Sequence, residues 1–200
     1  MLKLDERREK KIMILDYDGI RSFQTSLDLC EREFEMFFEE SQELVQFCEN
    51  HLCTPELTQA IIEGLILRTY AKFEFNMTIL CEHITSSISS GIKFRDYKHN
   101  GVEGALRFID GLIPLNFRKT QNQLCNNLQQ WNNLRNIIAH KDSTTEEATI
   151  TISSSTGVKF DYELQNMFLF TVKDFRKCVT DLQLFSNELF KELNIFLYRE

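Results

Sequence analysis

Two hundred residues with 42 % hydrophobic side chains, including seventeen phenylalanines, suffice for one domain with a full core. Only two prolines and seven glycines interrupt the chain, and no regular strand-and-turn pattern runs through it, so the composition favours a mostly helical protein. A net charge of −7 argues against a broad nucleic-acid-coating surface, and no apolar run approaches the roughly 20 residues that cross a bilayer.

The start, MLKLDERREKK, predicts a short charged helix over 3–15 and no signal peptide, which makes the protein an expected cytoplasmic one with no membrane partner. Over about 20–50, Phe23, Leu27, Cys30, Phe34, Phe37, Leu44 and Cys48 recur mostly every three or four residues opposite a Glu-rich face, predicting a long amphipathic helix. Thr54 and Pro55 then read as the N-cap and first turn of a second long helix, with Glu56 beside the positive helix end. That helix runs to about Ser87 and carries two apolar stripes. One holds Ile62, Ile66, Tyr70, Phe73, Met77, Leu80 and Ile84; the other holds Leu57, Ile61, Leu65, Phe75 and Ile79. Two stripes predict the central helix of a bundle.

Residues 88–101 read as an exposed connection, 102–112 as a short helix stopped by Pro114, and 118–140 as a further helix. Beyond it, the alternation of Ile150 and Ile152, a Ser/Thr/Gly turn at 154–157, and Val158, Phe160 and Tyr162 predict a β-hairpin near 148–162. A last long helix is expected over about 163–198, with Phe168, Val172, Phe175, Val179, Leu182, Phe185, Leu189, Leu193 and Phe196 as a core or dimer stripe. The sum is one all-α domain, its core at about 20–198: an antiparallel bundle of four to five helices with one small hairpin.

The cysteines at 30, 48, 53, 81, 125 and 178 show no C-x-x-C pair and no Cys/His cluster at zinc spacing, so they are expected to be reduced and structural. His51 and His99 read as loop residues and His83 as a helical one, none with a ligand partner at metal spacing. No phosphate-binding glycine motif or nucleophile elbow is present. No cofactor is implied.

Charge is unevenly spread. Residues 1–50 hold thirteen acids, whereas the 31 positions between Asp110 and Asp142 hold none. That window contains Arg118, Lys119, Arg135, Lys141, His140 and eleven Asn or Gln. It reads as a solvated polar helix or as a local anion site. Within it, Leu124, Leu128, Trp131, Leu134 and Ile138 form one apolar arc, and Arg135 lies about 40° from its centre on an ideal helix. A guanidinium aimed inward keeps its charge and must be paired or must border a wet groove. Glu74 or Glu63 of the central helix suits as an ion-pair partner. Asn136 and His140 lie one turn apart on another strip.

The stretch RNIIAH, Arg135 through His140, resembles the R-x(4–6)-H signature of the HEPN superfamily, whose members are bundles of four or five helices with the motif near the end of a late core helix. RTYAKFEFNM, with Glu74 after aromatics, is similar to the second core helix of HEPN toxin branches. The resemblance implies a metal-independent endoribonuclease of toxin–antitoxin, abortive-infection or other defence systems, acting as a homodimer whose two motifs line one cleft. It implies His140 in proton transfer, Arg135 in transition-state charge stabilisation, Asn136 in positioning, and Glu74 and Lys141 in support. RNA is the implied substrate, and an antitoxin or defence protein an implied partner. Asp142 stands where toxins paired with a minimal nucleotidyltransferase carry a modifiable tyrosine, so silencing by nucleotidylation there is not expected. Two rivals remain: a non-catalytic HEPN-like interaction module, with Arg135 as a structural ion-pair partner, and a nucleotide-binding regulatory bundle.

Overall fold

The computed structural model describes residues 17–51, 54–88, 93–94, 101–140, 145–162 and 167–198. The expected helix over 3–15, His99, Lys141 and Asp142 lie outside the described residues. Among those described, seven helices and one two-stranded sheet follow in the order α1 (Tyr17–His51), α2 (Pro55–Ile88), α3 (Gly101–Leu112), α4 (Phe117–Thr120), α5 (Asn122–His140), α6 (Glu146–Thr156), β1 (Lys159–Asp161), β2 (Met167–Leu169) and α7 (Val172–Tyr198). The class is all-α with a small hairpin, as composition and periodicity predict. No described helix is long and apolar enough to cross a membrane.

Helices α1, α2 and α7 pack on one another, α5 packs against α2 and α7, and α3 lies on α2. Phenylalanine dominates the contacts between them. Phe34 of α1 meets Phe73 of α2 and Phe190 of α7 edge-on, with ring centroids 5.8 and 5.3 Å apart, and Phe185 meets Phe73 and Phe117 in the same way. Edge-to-face pairs of this kind add to plain area burial. Gln42 bonds Gln183 while Glu49 pairs with Arg176, so α1 and α7 run antiparallel. The described cysteines, all but Cys53, are free thiols, and burial pushes Cys30 up to about 12 and Cys125 up to about 11. Held protonated, they act as small apolar side chains.

Several expectations change. First, residues 148–156 are helical, and the hairpin is shifted towards the C-terminus: β1 pairs antiparallel with β2, with Phe160 opposite Phe168. Capping at both ends decides it. Thr145 accepts the Ala148 N–H on its side chain, Glu146 and Glu147 fill the first turn, and Gly157 closes the helix at φ 84°, a left-handed conformation open to glycine. Thr149, Ile152 and Thr156 are buried at helical spacing whereas Ile150 is exposed, so the apparent strand alternation belongs to a helix face. The Gln59 side chain then clamps β2, donating to the Phe168 carbonyl and accepting from the Phe170 N–H.

Second, α7 begins at Val172 rather than near 163, since Phe168 is spent in β2. Third, the helix expected over 118–140 is broken. Asn116 adopts φ 54° before the single turn of α4, Asp110 accepts the Phe117 N–H at 3.1 Å, and α5 restarts at Asn122. His51 ends α1 instead of lying in a loop, stacked on Phe47. Fourth, Ile61 and Leu65 of the second stripe of α2 pack against the core only partly buried, and only the first stripe is fully core. Its seven residues, Ile62 to Ile84, are no more than 1 % exposed, whereas Leu57 and Phe75 of the second stripe are 54 % and 56 % exposed. The two stripes are centred about 140° apart on an ideal helix, too far for one set of neighbours to cover both.

Candidate functional site: a polar groove between α2, α3 and α5

The buried arc of α5 holds the site in place. Leu128, Trp131 and Leu134 are at most 4 % exposed, and the Trp131 indole N–H donates to Asp181 of α7 at 2.8 Å, which fixes the rotation of α5 against the bundle. That rotation aims Arg135 at α2. Its Nη2 donates to Glu74 Oε2 at 2.5 Å and its Nη1 to Asn136 Oδ1 at 2.7 Å. The Arg135 and Glu74 side chains are 27 % and 19 % exposed, so the pair is half-sheltered rather than sealed. The guanidinium carbon also lies 6.0 Å from the centroid of the buried Tyr70 ring. Of the two glutamates that sequence spacing offers as partners, Glu74 is the one used.

The pair borders a groove of about 420 Å³, lined from α2 by Glu74, Phe75 and Thr78, from α3 by Gly101 to Glu103, and from α5 by Asn132, Arg135 and Asn136. Gly101 opens α3 at φ 76°, and a Cβ there would come within 3.0 Å of Glu74 Oε1. The backbone conformation favours glycine here, and a larger residue would also press on the Glu74 carboxylate. Burial raises the Glu74 carboxyl above its ordinary 4.5, with Arg135 pulling the other way. The Tyr70 hydroxyl is pushed well up, by burial first and the Glu74 charge second.

The groove is electrostatically mixed. Glu103 accepts from Arg107 at 2.6 Å and from Arg118 at 3.1 Å, so part of the positive window read from the sequence is matched from α3. The α5 amides bond to one another: Gln123 to Asn127, and Gln129 to Asn133, which in turn donates to Gln130.

Of the residues singled out in the sequence, the groove gathers Arg135, Asn136 and Glu74. His140 is not in its lining. It is exposed, at the last residue of α5, about 7.5 Å further along the axis from Arg135 and about 140° round it. The two side chains of one chain thus start from different sides of an ideal helix, although Arg135 reaches Asn136, on the strip that also carries His140. Sequence spacing missed the groove residues Phe75, Asn132 and Gly101. The signal for Phe75 was its second stripe, and the signal for Gly101 was a glycine directly before an apolar helix. No family model, curated protein or solved structure matches the chain.

Proposed function

We propose that the chain is a metal-independent endoribonuclease of HEPN type, acting in bacterial defence or a toxin–antitoxin pair, with a site shared between two copies. One observation carries this: Arg135 stands on the wall of an open groove, oriented by Glu74 and Asn136, with two of its five N–H donors used. Such a fork suits a phosphate whose charge grows during reaction. An RNA 2′-OH attacks its own phosphorus, the P–O5′ bond breaks, and a 2′,3′-cyclic phosphate and a 5′-OH result. His140 serves the proton transfers. Asn136 holds the guanidinium in place, Glu74 orients it from behind, and Lys141 adds positive charge. The separation of Arg135 and His140 within one chain supports a composite cleft, the groove of one copy facing the helix end of another.

A second proposal, that Arg135 is purely structural and the bundle a non-catalytic interaction module, draws on the 2.5 Å bond to Glu74. One experiment separates the two. Wild type, Arg135→Ala and His140→Ala are expressed and incubated with total RNA, singly and after co-refolding of the two variants. Each variant alone is expected to lose cleavage by at least about a hundredfold, on the scale typical of general acid–base and oxyanion groups. The mixture recovers about a quarter of the wild-type rate, because half the dimers are mixed and each holds one intact site. Cleavage kept by both variants rejects the mechanism; an inert wild type with an unfolded Arg135→Ala favours the structural role.

A further inference from the structure

The second stripe of α2 leaves a large aromatic ring in solvent beside the mixed-charge groove that holds Arg135. Phe75 is 56 % exposed and forms part of the groove lining. Lys72, one turn earlier, places its ammonium 5.2 Å from the ring centroid. Across the groove stand Asn132 and Asn136 of α5, with Arg135 between them in sequence. An apolar ring and two amides round one concavity, with a lysine outside the lining whose ammonium lies over one face of that ring, match the parts of an unpaired nucleotide: the ring's other face to stack on, an edge to bond and a phosphate to neutralise. The carboxylates in the groove are already engaged, Glu74 by Arg135 and Glu103 by Arg107 and Arg118.

We propose that this groove takes single-stranded RNA, with one unpaired base stacked on Phe75, its edge towards Asn132 and Asn136, and an adjoining phosphate on Lys72. This rests on the ribonuclease proposal and narrows its substrate class. Asn136 Oδ1 accepts from Arg135, which leaves its amide N–H donors for a base carbonyl or ring nitrogen. A base inside a duplex is stacked on both faces and offers none to a protein ring, so paired RNA is excluded by the same geometry.

The test uses full-length protein carrying His140→Ala, so that RNA is bound without being cut. Fluorescence anisotropy follows a labelled short RNA oligonucleotide that is unpaired, and a hairpin duplex of the same length. The unpaired strand is expected to bind about tenfold or more tightly than the duplex. Phe75→Ala removes about tenfold of that affinity and most of the preference, Phe75→Trp retains both, and Lys72→Ala weakens both RNAs alike. Equal binding by Phe75 and Phe75→Ala, with Arg135→Ala defective, overturns the stacking role and leaves the ribonuclease proposal standing. ATP competing as well as the oligonucleotide overturns it in favour of a mononucleotide site. A change from dimer to monomer on Phe75→Ala by sedimentation, with RNA preference unmoved, overturns it in favour of an interface between copies. Failure of every form to bind or cut any RNA sinks both proposals.

Discussion

Helices α1 and α5 are both amphipathic and both packed on the same core, yet their outward faces are built from different chemistry. Over Tyr17–His51, α1 carries nine carboxylates and two arginines; over Asn122–His140, α5 carries nine amides, no carboxylate and one arginine. On α1 charge is plentiful and solvated. On α5 it is rationed, and the amides satisfy one another along the helix. The consequence is that Arg135 has no carboxylate on its own helix to pair with. Its partner must come from another element, and Glu74 of α2 supplies it. A neutral helix face thereby makes the orientation of one guanidinium a property of tertiary packing.

The largest expected effect breaks the packing that supports that orientation. Trp131→Ala removes a fully buried ring and its bond to Asp181, and is expected to cost about 3–5 kcal/mol in urea denaturation. If the loss is under about 1 kcal/mol, α5 is not held by its arc, and Arg135 is not positioned as described.

A smaller effect concerns the pair itself. Burial raises the Glu74 carboxyl above 4.5 in the folded chain, so the folded state holds that proton more tightly than the unfolded state. The stability this lends is complete below 4.5 and is lost as pH rises through the raised value. Glu74→Gln keeps the proton-bearing character at every pH, so wild type should lose ground to the variant as pH rises from about 4 towards neutrality. Asp110 is raised by burial too, but it is present in both proteins and cancels from the difference. Chemical denaturation at a series of pH values reads it. A wild type that gains on the variant with rising pH would mean that Arg135 outweighs burial.

How far these features were legible follows from what periodicity encodes. The seven-residue stripe from Ile62 to Ile84 and the Phe175–Leu193 stripe recur with the helical period and are buried as read. Over α6, two isoleucines two residues apart fit a strand, while the stronger signal is Thr145 and Gly157 at its ends. Around the groove, the nearness of Glu74 was readable as a charge needing a partner. The distance between Arg135 and His140 was readable from 100° per residue, though the R-x(4)-H pattern draws the eye to them as one unit. That Phe75 faces solvent was not readable, because apolar spacing does not say whether a second neighbour covers the stripe.

The smallest expected effect lies on α1. Leu29, Met36 and Phe47 are exposed almost in line along it, with Glu33, Glu40 and Glu43 within about 40° of that line. No described contact of these three carboxylates is an ion pair. Replacing all three by Gln takes the net charge from −7 to −4 and relieves like-charge crowding on one helix face. Exposed charges are well screened, so stability should rise by no more than about 0.5 kcal/mol, a shift in Tm of under about 2 °C, and the rise should vanish in high salt. One carboxylate placed on α5 by Asn132→Glu, beside Arg135, should perturb more than the three removed from α1, because it competes with Glu74 for a half-sheltered guanidinium. If the triple change on α1 proves the larger of the two, its acids are not the solvated, interchangeable charges described here, and the contrast between the helices fails from the acidic side.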